Sequence, residues 1–224
     1  MKRFFLIAIT IMSSWAIMAQ NDAPNKGTNK DRINFGAVNS FWLGLEDGMK
    51  QRPISQGFNG SIMIDIKTSE NSPISFGLGF GFSSHNLHSN AVTRIGSGRT
   101  TEFLLVPENI TYNINKLSFR YINIPLEVRY RHKSDFRFAL GLRSNYLADR
   151  YTKYYGNDIT GIDNPMKIID KNILNPENFM FEIIGRVGWK FVTLTGSFPL
   201  TTVFVKDKGP AVKPASLGIS ISLY

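Results

Sequence analysis

Residues 121–143, YINIPLEVRYRHKSDFRFALGLR, alternate so strictly that each face of the chain can be written by taking every second letter. Ile122, Ile124, Leu126, Val128 and Tyr130 fall on one side, and Asn123, Pro125, Glu127, Arg129 and Arg131 on the other. A period of two is the period of a β-strand, whose successive side chains point to opposite faces. The polar stretch His132, Lys133, Ser134, Asp135 interrupts the pattern, after which Phe136, Phe138, Leu140 and Leu142 alternate with Arg137, Ala139, Gly141 and Arg143. The whole reads as one antiparallel hairpin, apolar on one face and polar on the other.

The same period recurs along the chain and gives about eight strands: 34–46, 58–67, 74–83, the two of the hairpin, 179–189, 191–204 and 215–224. No amphipathic helix of comparable clarity competes. The connections alternate between short (68–73, 132–135, 188–190) and long (47–57, 84–118, 151–178, 206–214). In an up-and-down barrel every second connection emerges at the same end, so one rim carries tight turns and the other large loops.

The kind of polar residue separates a membrane barrel from a soluble one. A water-facing sheet surface is normally filled with Lys and Glu, whereas Gly, Ser and Thr dominate several polar faces here: Ser75, Gly77, Gly79, Gly81; Thr193, Thr195, Ser197; Ser216, Gly218, Ser220, Ser222. Small side chains suit the interior of a narrow eight-stranded barrel, and the large apolar ones on the opposite face suit lipid. The expected fold is all-β: an eight-stranded antiparallel up-and-down transmembrane β-barrel with short periplasmic turns and long extracellular loops. Tyr130, Phe136, Trp189, Phe191, Phe76 and Tyr224 lie close to short turns or to the chain end and are expected to form an aromatic girdle. Pro125 and Pro199 fall inside expected strands and predict local irregularity, because proline cannot donate a ladder hydrogen bond. Tyr224 is in register with Ser220 and Ser222, not with the apolar residues of its strand.

The N-terminus fits export to such a location. Lys2 and Arg3 precede an apolar run ending at Met18 and then Ala19, which predicts a signal peptide over 1–19, a short periplasmic segment over 20–33 and the barrel over 34–224. With no cysteine, a lipid anchor of the lipoprotein type and a disulfide framework are both excluded. Removing Lys2 and Arg3 leaves 24 basic against 17 acidic residues, a balance of +7. In an exported chain that excess points to outer-membrane lipid or surface polysaccharide; no basic helix or aromatic-interleaved patch supports nucleic acid.

No His pair at helical spacing and no phosphate loop is present, so neither a metal nor a cofactor is expected. The charged residues of the polar faces, Asp65, Lys67, Glu127, Arg129, Arg137, Arg143, Glu182 and Arg186, are expected to meet in one narrow lumen and pair as a salt-bridged plug. The expected function is non-enzymatic: an outer-membrane anchor and interaction scaffold of the cell envelope, with a small transport barrel or a lipid-modifying hydrolase as the alternative. The hydrolase would use His85 beside Ser83 and Ser84. The long connections carry Phe103, Leu104, Leu105, Val106, Ile168, Ile169, Ile173 and Leu174, residues that a solvated loop does not need. They are expected either to pack the loops over the barrel mouth or to form a partner-binding surface, with Tyr154 and Tyr155 as the anchors.

The signal ending Ala19–Gln20, the eight-strand layout, the segment Tyr121-Ile122-Asn123-Ile124-Pro125-Leu126 leading into a basic strand, and the following Ala139-Leu140-Gly141 resemble the PorT-like outer-membrane β-barrel family of Bacteroidota. The resemblance covers nearly the whole mature chain and implies an outer-membrane location and a closed eight-stranded barrel. One member of that family is similar to a component required by type IX secretion, which implies envelope or secretion proteins as partners.

Overall fold

The computed structural model describes residues 32–223 apart from 68, 70, 71, 133 and 159–163. The leader expected at 1–19, the segment 20–31 and the girdle residue Tyr224 lie outside the described residues. Eleven strands follow one another: β1 (Ile33–Leu43), β2 (Gln56–Lys67), β3 (Ile74–His88), β4 (Ala91–Ile95), β5 (Thr101–Leu105), β6 (Tyr112–Arg131), β7 (Phe136–Asn157), β8 (Pro165–Asp170), β9 (Phe179–Trp189), β10 (Val192–Pro199) and β11 (Lys213–Leu223).

Eight of them pair in a ring. The antiparallel pairings run β1–β2, β2–β3, β3–β6, β6–β7, β7–β9, β9–β10, β10–β11 and β11–β1, so the sheet closes on itself and none of these strands keeps a free edge at barrel level. Strand β8 adds to β7 as a ninth, and β4 with β5 forms a separate hairpin. The outer wall exposes the apolar alternates: Ile62, Ile64 and Ile66 of β2; Phe76, Leu78, Phe80 and Phe82 of β3; Ile122 to Tyr130 of β6; and Phe136 to Leu142 of β7. Five outward residues in a row span about 27 Å of strand, or about 19–22 Å of height at a tilt of about 35–45°, close to the apolar band of outer-membrane barrels.

Above that belt the polarity of the two faces exchanges while the alternation continues. Inward positions become apolar, with Trp42, Leu87, Leu117, Phe119 and Leu147 all buried, and outward ones become polar, with Ser84, Lys116 and Arg120.

Three expectations need correction. The first strand, expected over 34–46, stops at Leu43, three residues early, because Gly44 takes a positive φ of 74° and turns the chain; Leu45 beyond it packs against the interior cluster. The expected strand 191–204 stops at Pro199, which has no N–H of its own, with one further backbone bond from Leu200 to the Phe181 carbonyl at 2.7 Å; the following Val203 and Phe204 fold into the mouth and are buried. The regions 84–118 and 151–178 are not loops throughout: β3, β6 and β7 continue past the belt, and β4, β5 and β8 fill the rest. Pro125 keeps its register with Arg143, and its irregularity is a lapse in the β3–β6 ladder, where pairing stops at Leu78–Leu126 and resumes at Gly81–Asn123.

Candidate functional site

The barrel interior has three levels, built from the inward alternates. At the turn side, Arg129 of β6 lies between two carboxylates, 2.6 Å from Asp65 of β2 and 2.8 Å from Glu127 two residues back on its own strand. Arg131 pairs with the same Asp65, and Arg186 of β9 reaches Glu127 at 3.2 Å. Arg137 of β7 donates to the Thr193 hydroxyl at 3.2 Å, and Thr193, Ser222 and Asn34 continue as a chain of hydrogen bonds at 3.0 and 2.6 Å.

The glycines of these strands make the room. A Cβ on Gly77 would stand 2.7 Å from Nε of Arg129, and one on Gly188 would stand 2.9 Å from a guanidinium nitrogen of Arg137. Small residues on the polar face therefore accommodate large charged ones from the strand opposite.

The middle level centres on Glu182 of β9, fully enclosed. Its carboxylate accepts from Arg143 at 2.6 and 2.7 Å, from Asn145 at 2.8 Å and from Ser197 at 2.9 Å, with Nε2 of His85 3.5 Å away. Ser83 donates to Asn145 at 3.2 Å and accepts from Asn123 at 3.3 Å, which ties β3, β6 and β7 to the same centre. Buried ionic groups are tolerated when each is paired and further hydrogen-bonded, and Glu182 meets that condition on several sides.

The third level is apolar. Trp42, Phe119, Tyr121, Leu147, Met180, Val203, Phe204 and Val212 form one buried cluster across the loop-side mouth, with Phe103 of β5 packed against it. The Phe204 ring stands edge-on to Phe119 at 5.7 Å, and Trp42 meets Phe119 at 6.0 Å. A smaller cluster above, Val106, Ile110 and Tyr154 with Val92, Tyr112 and Met166, fixes the β4–β5 hairpin onto the extended β6–β7–β8 sheet.

Of the charged residues singled out in the sequence, Asp65, Glu127, Arg129 and Arg186 meet in the turn-side ion-paired network, Arg143 and Glu182 pair in the middle level, and Arg137 lies in the hydroxyl chain. Lys67, on the same face as Asp65, is exposed at the turn-side rim, because it is the last residue of β2. Sequence reasoning missed Arg131, Asn145 and His85 as members of the interior, although each has the parity of its inward neighbours. His85 is enclosed by Glu182 and by the Tyr121 ring at 6.0 Å, and the Ser84 hydroxyl accepts from the backbone N–H of Phe58. Tyr154 is corrected as a surface anchor: it lies in β7, buried in the upper cluster, with its hydroxyl donating to the Asn157 carbonyl at 2.7 Å. Tyr155, one residue on, is 41 % exposed on the outer face of the same strand. Phe103, Val106 and Ile173 pack inward, while Leu104, Leu105, Ile168 and Ile169 stay exposed.

Of the expected girdle, Tyr130, Phe136, Trp189, Phe191 and Phe76 are all on the outer wall towards the turn side, with the ammonium of Lys190 4.8 Å over the Trp189 ring.

Among curated proteins none matches the chain. Among solved structures, Ail, the attachment invasion locus protein of Yersinia pestis, in complex with the heparin analogue sucrose octasulfate, is similar at 12% identity and a TM-score of 0.40, over 85% of this chain and 95% of that one. The family described as outer membrane protein beta-barrel domain matches residues 18–205. The match extends over most of the chain: the protein belongs to the outer membrane protein beta-barrel domain family, and its place is the cell outer membrane.

Proposed function

We propose that the protein is a non-enzymatic, non-conducting anchor that spans the outer membrane and holds a rigid platform on the loop side for another component of the cell envelope. The observation that carries this reading is the filled interior: an ion-paired layer, the Glu182 centre and an aromatic cap succeed one another from rim to rim. An eight-stranded ring leaves little more space than its own side chains need. Barrels of this kind sit with their tight turns in the periplasm and their large connections outside, which puts the platform at the cell surface.

The platform has the traits of a scaffold. The strands β6 and β7 continue past the apolar belt, β8 widens them, and the β4–β5 hairpin is fixed by its own apolar cluster. Exposed Tyr155, Ile168, Ile169, Leu104 and Leu105 supply contact area on a rigid support. A partner within the secretion or assembly machinery suits a surface-facing platform on a sealed barrel. His85, enclosed against Glu182, supports an interior built for packing and not for hydrolysis.

Two measurements test the two halves of the reading. Purified protein in a planar bilayer should give no stable conductance steps, and reproducible steps would refute the sealed lumen. A photo-crosslinking residue in place of Tyr155 or Ile169 in intact cells should capture a discrete protein, whereas the same residue at Leu126, on the apolar belt, should not. Identical products from both positions would refute the platform.

A further inference from the structure

The outer wall directly above the apolar belt carries a cluster of like charges that the sealed-anchor reading does not use. Reading across the strands, His88 of β3 pairs with Lys116 of β6, and Lys116 pairs with Lys153 of β7. One outward row lower, Ser118 pairs with Tyr151; the next row holds Ser84, Arg120 and Asp149. Lys171, just past β8, reaches Asp149 at 3.3 Å, and Arg120 reaches the same carboxylate at 3.3 Å. Two lysines directly opposite each other on one face of an antiparallel pair repel, yet among the described residues neither Lys116 nor Lys153 makes an ion pair. Arg120 and Lys171 thus share the Asp149 carboxylate, while Lys116 and Lys153 have no carboxylate partner among the described residues.

Their focus is Tyr151. The Lys116 ammonium lies 5.1 Å and the Arg120 guanidinium 4.9 Å from the centre of its ring, and Arg120 donates to its hydroxyl at 3.1 Å. Burial raises the Tyr151 phenol, but the hydrogen bond and charge of Lys116 with the charge of Arg120 outweigh it and hold the phenol below its usual value. His88 is also held below the usual imidazole value, first by burial and then by Lys116 and Arg52. The Lys116 charge contributes to both shifts.

Height decides the kind of anion. Arg120 is two residues above Ile122, the last exposed apolar residue of β6, which places its row about 5 Å above the belt and the Lys116–Lys153 row about 14 Å above it. Side chains of this length reach back towards the belt. The Arg120 row thus stands within the headgroup layer of the loop-side leaflet, about 5–8 Å deep, and the Lys116–Lys153 row stands above it, with the Lys116 ammonium reaching down to the Tyr151 ring.

We propose that this wall binds the phosphate of an anionic lipid headgroup, with Lys116, Lys153, Arg120 and Lys171 contacting it around Tyr151. The lipid supplies the negative charge that the protein omits between Lys116 and Lys153. The binding is independent of whether the lumen conducts, so the sealed-anchor reading and this one fail separately.

The test uses the full protein folded into phosphatidylcholine vesicles containing nitroxide-labelled phosphatidylglycerol or nitroxide-labelled phosphatidylcholine. The immobilised fraction of each label measures association with the barrel wall. Basic side chains near an anionic surface contribute about fivefold each, so the wild type should prefer phosphatidylglycerol by at least that factor. The double variant K116Q/K153Q loses no ion pair and should bring the preference close to equality, with unchanged heat stability. K206Q/K208Q, the same loss of charge in the β10–β11 connection, should keep the wild-type preference. Equal association of both lipids with the wild type would overturn the proposal, as would an equal effect of the two double variants. A rise in heat stability with inorganic phosphate in pure phosphatidylcholine, without lipid preference, would assign the cluster to a soluble anion and overturn the lipid assignment.

Discussion

Replacing Glu182 by Gln should be among the most damaging conservative changes in the barrel. The carboxylate is 0 % exposed and accepts bonds from Arg143, Asn145 and Ser197, so its removal leaves a buried guanidinium without its counter-charge. Breaking a buried pair by removing one partner costs about 3–5 kcal/mol, most of it the uncompensated charge. Glutamine keeps the shape and one acceptor, so the lower end of that range applies, about 3 kcal/mol. With a urea slope of about 2 kcal/mol/M, the unfolding midpoint in lipid vesicles should fall by about 1.5 M. The companion E182Q/R143M removes both charges and should recover more than half of the loss, because the stranded guanidinium is gone. A midpoint for E182Q close to that of the wild type would refute the buried pair. Additive effects of E182Q and R143M would refute the coupling between them.

Leu126→Arg, at the middle of the apolar belt, should cost about 2–4 kcal/mol in the same vesicle assay, while Asn123→Ala, facing inward on the same strand, should cost about 1 kcal/mol; equal losses would mean that the two faces are misassigned. Gly77→Val should lower the thermal midpoint by forcing Arg129 aside, at about 1–3 kcal/mol, whereas Gly185→Ala, with nothing within 4 Å of its added Cβ, should leave the midpoint unchanged. Phe204→Ala should cost about 3 kcal/mol and make the β10–β11 connection sensitive to protease from the loop side, because Phe204 is the ring that fastens that connection into the cap.

The barrel wall was legible in the sequence because one residue type pattern governs it. Between Ile122 and Tyr130, or Phe76 and Phe82, lipid outside and a polar interior act on alternate positions, and nothing else competes. The strand 179–189 agrees with β9 at both ends for that reason. Legibility fails where the surroundings change. At 117–120 of β6 the inward Leu117 and Phe119 are apolar and the outward Arg120 is polar, so the sense of the alternation is reversed, and in β7 an extra residue at Ala148 shifts the register; an apolar residue such as Leu117, buried inward, no longer marks the outer wall. Phe204 and Val203 carry no periodic signal, since their positions are set by a mouth that exists only once the ring has closed. The interior pairs were half legible. Parity placed Asp65, Glu127, Arg129 and Glu182 on one face, but which arginine meets which carboxylate depends on stagger between strands, as when Arg131 and Arg129 share Asp65.

The reversal of sense along β6 and β7 also bears on how the register is held. In a barrel with one polar and one apolar face, a slip of one residue would put every apolar side chain inside and every polar one in lipid. Here the same slip is penalised twice over: below the rim it would drive Arg129 and Glu127 into the hydrocarbon, and above it would expose Phe119 and Leu117 while burying Arg120 and Lys116. The two halves of each long strand thus specify the same register from opposite chemistry. The lapse in the β3–β6 ladder at Pro125 is tolerable for this reason: register lost at Gly79–Phe80 is re-imposed on one side by the Arg129 network and on the other by the aromatic cap. A barrel held in this way can hold its loop-side strands upright well beyond the membrane, where β7 offers Tyr155 to one kind of contact and Lys153 to another.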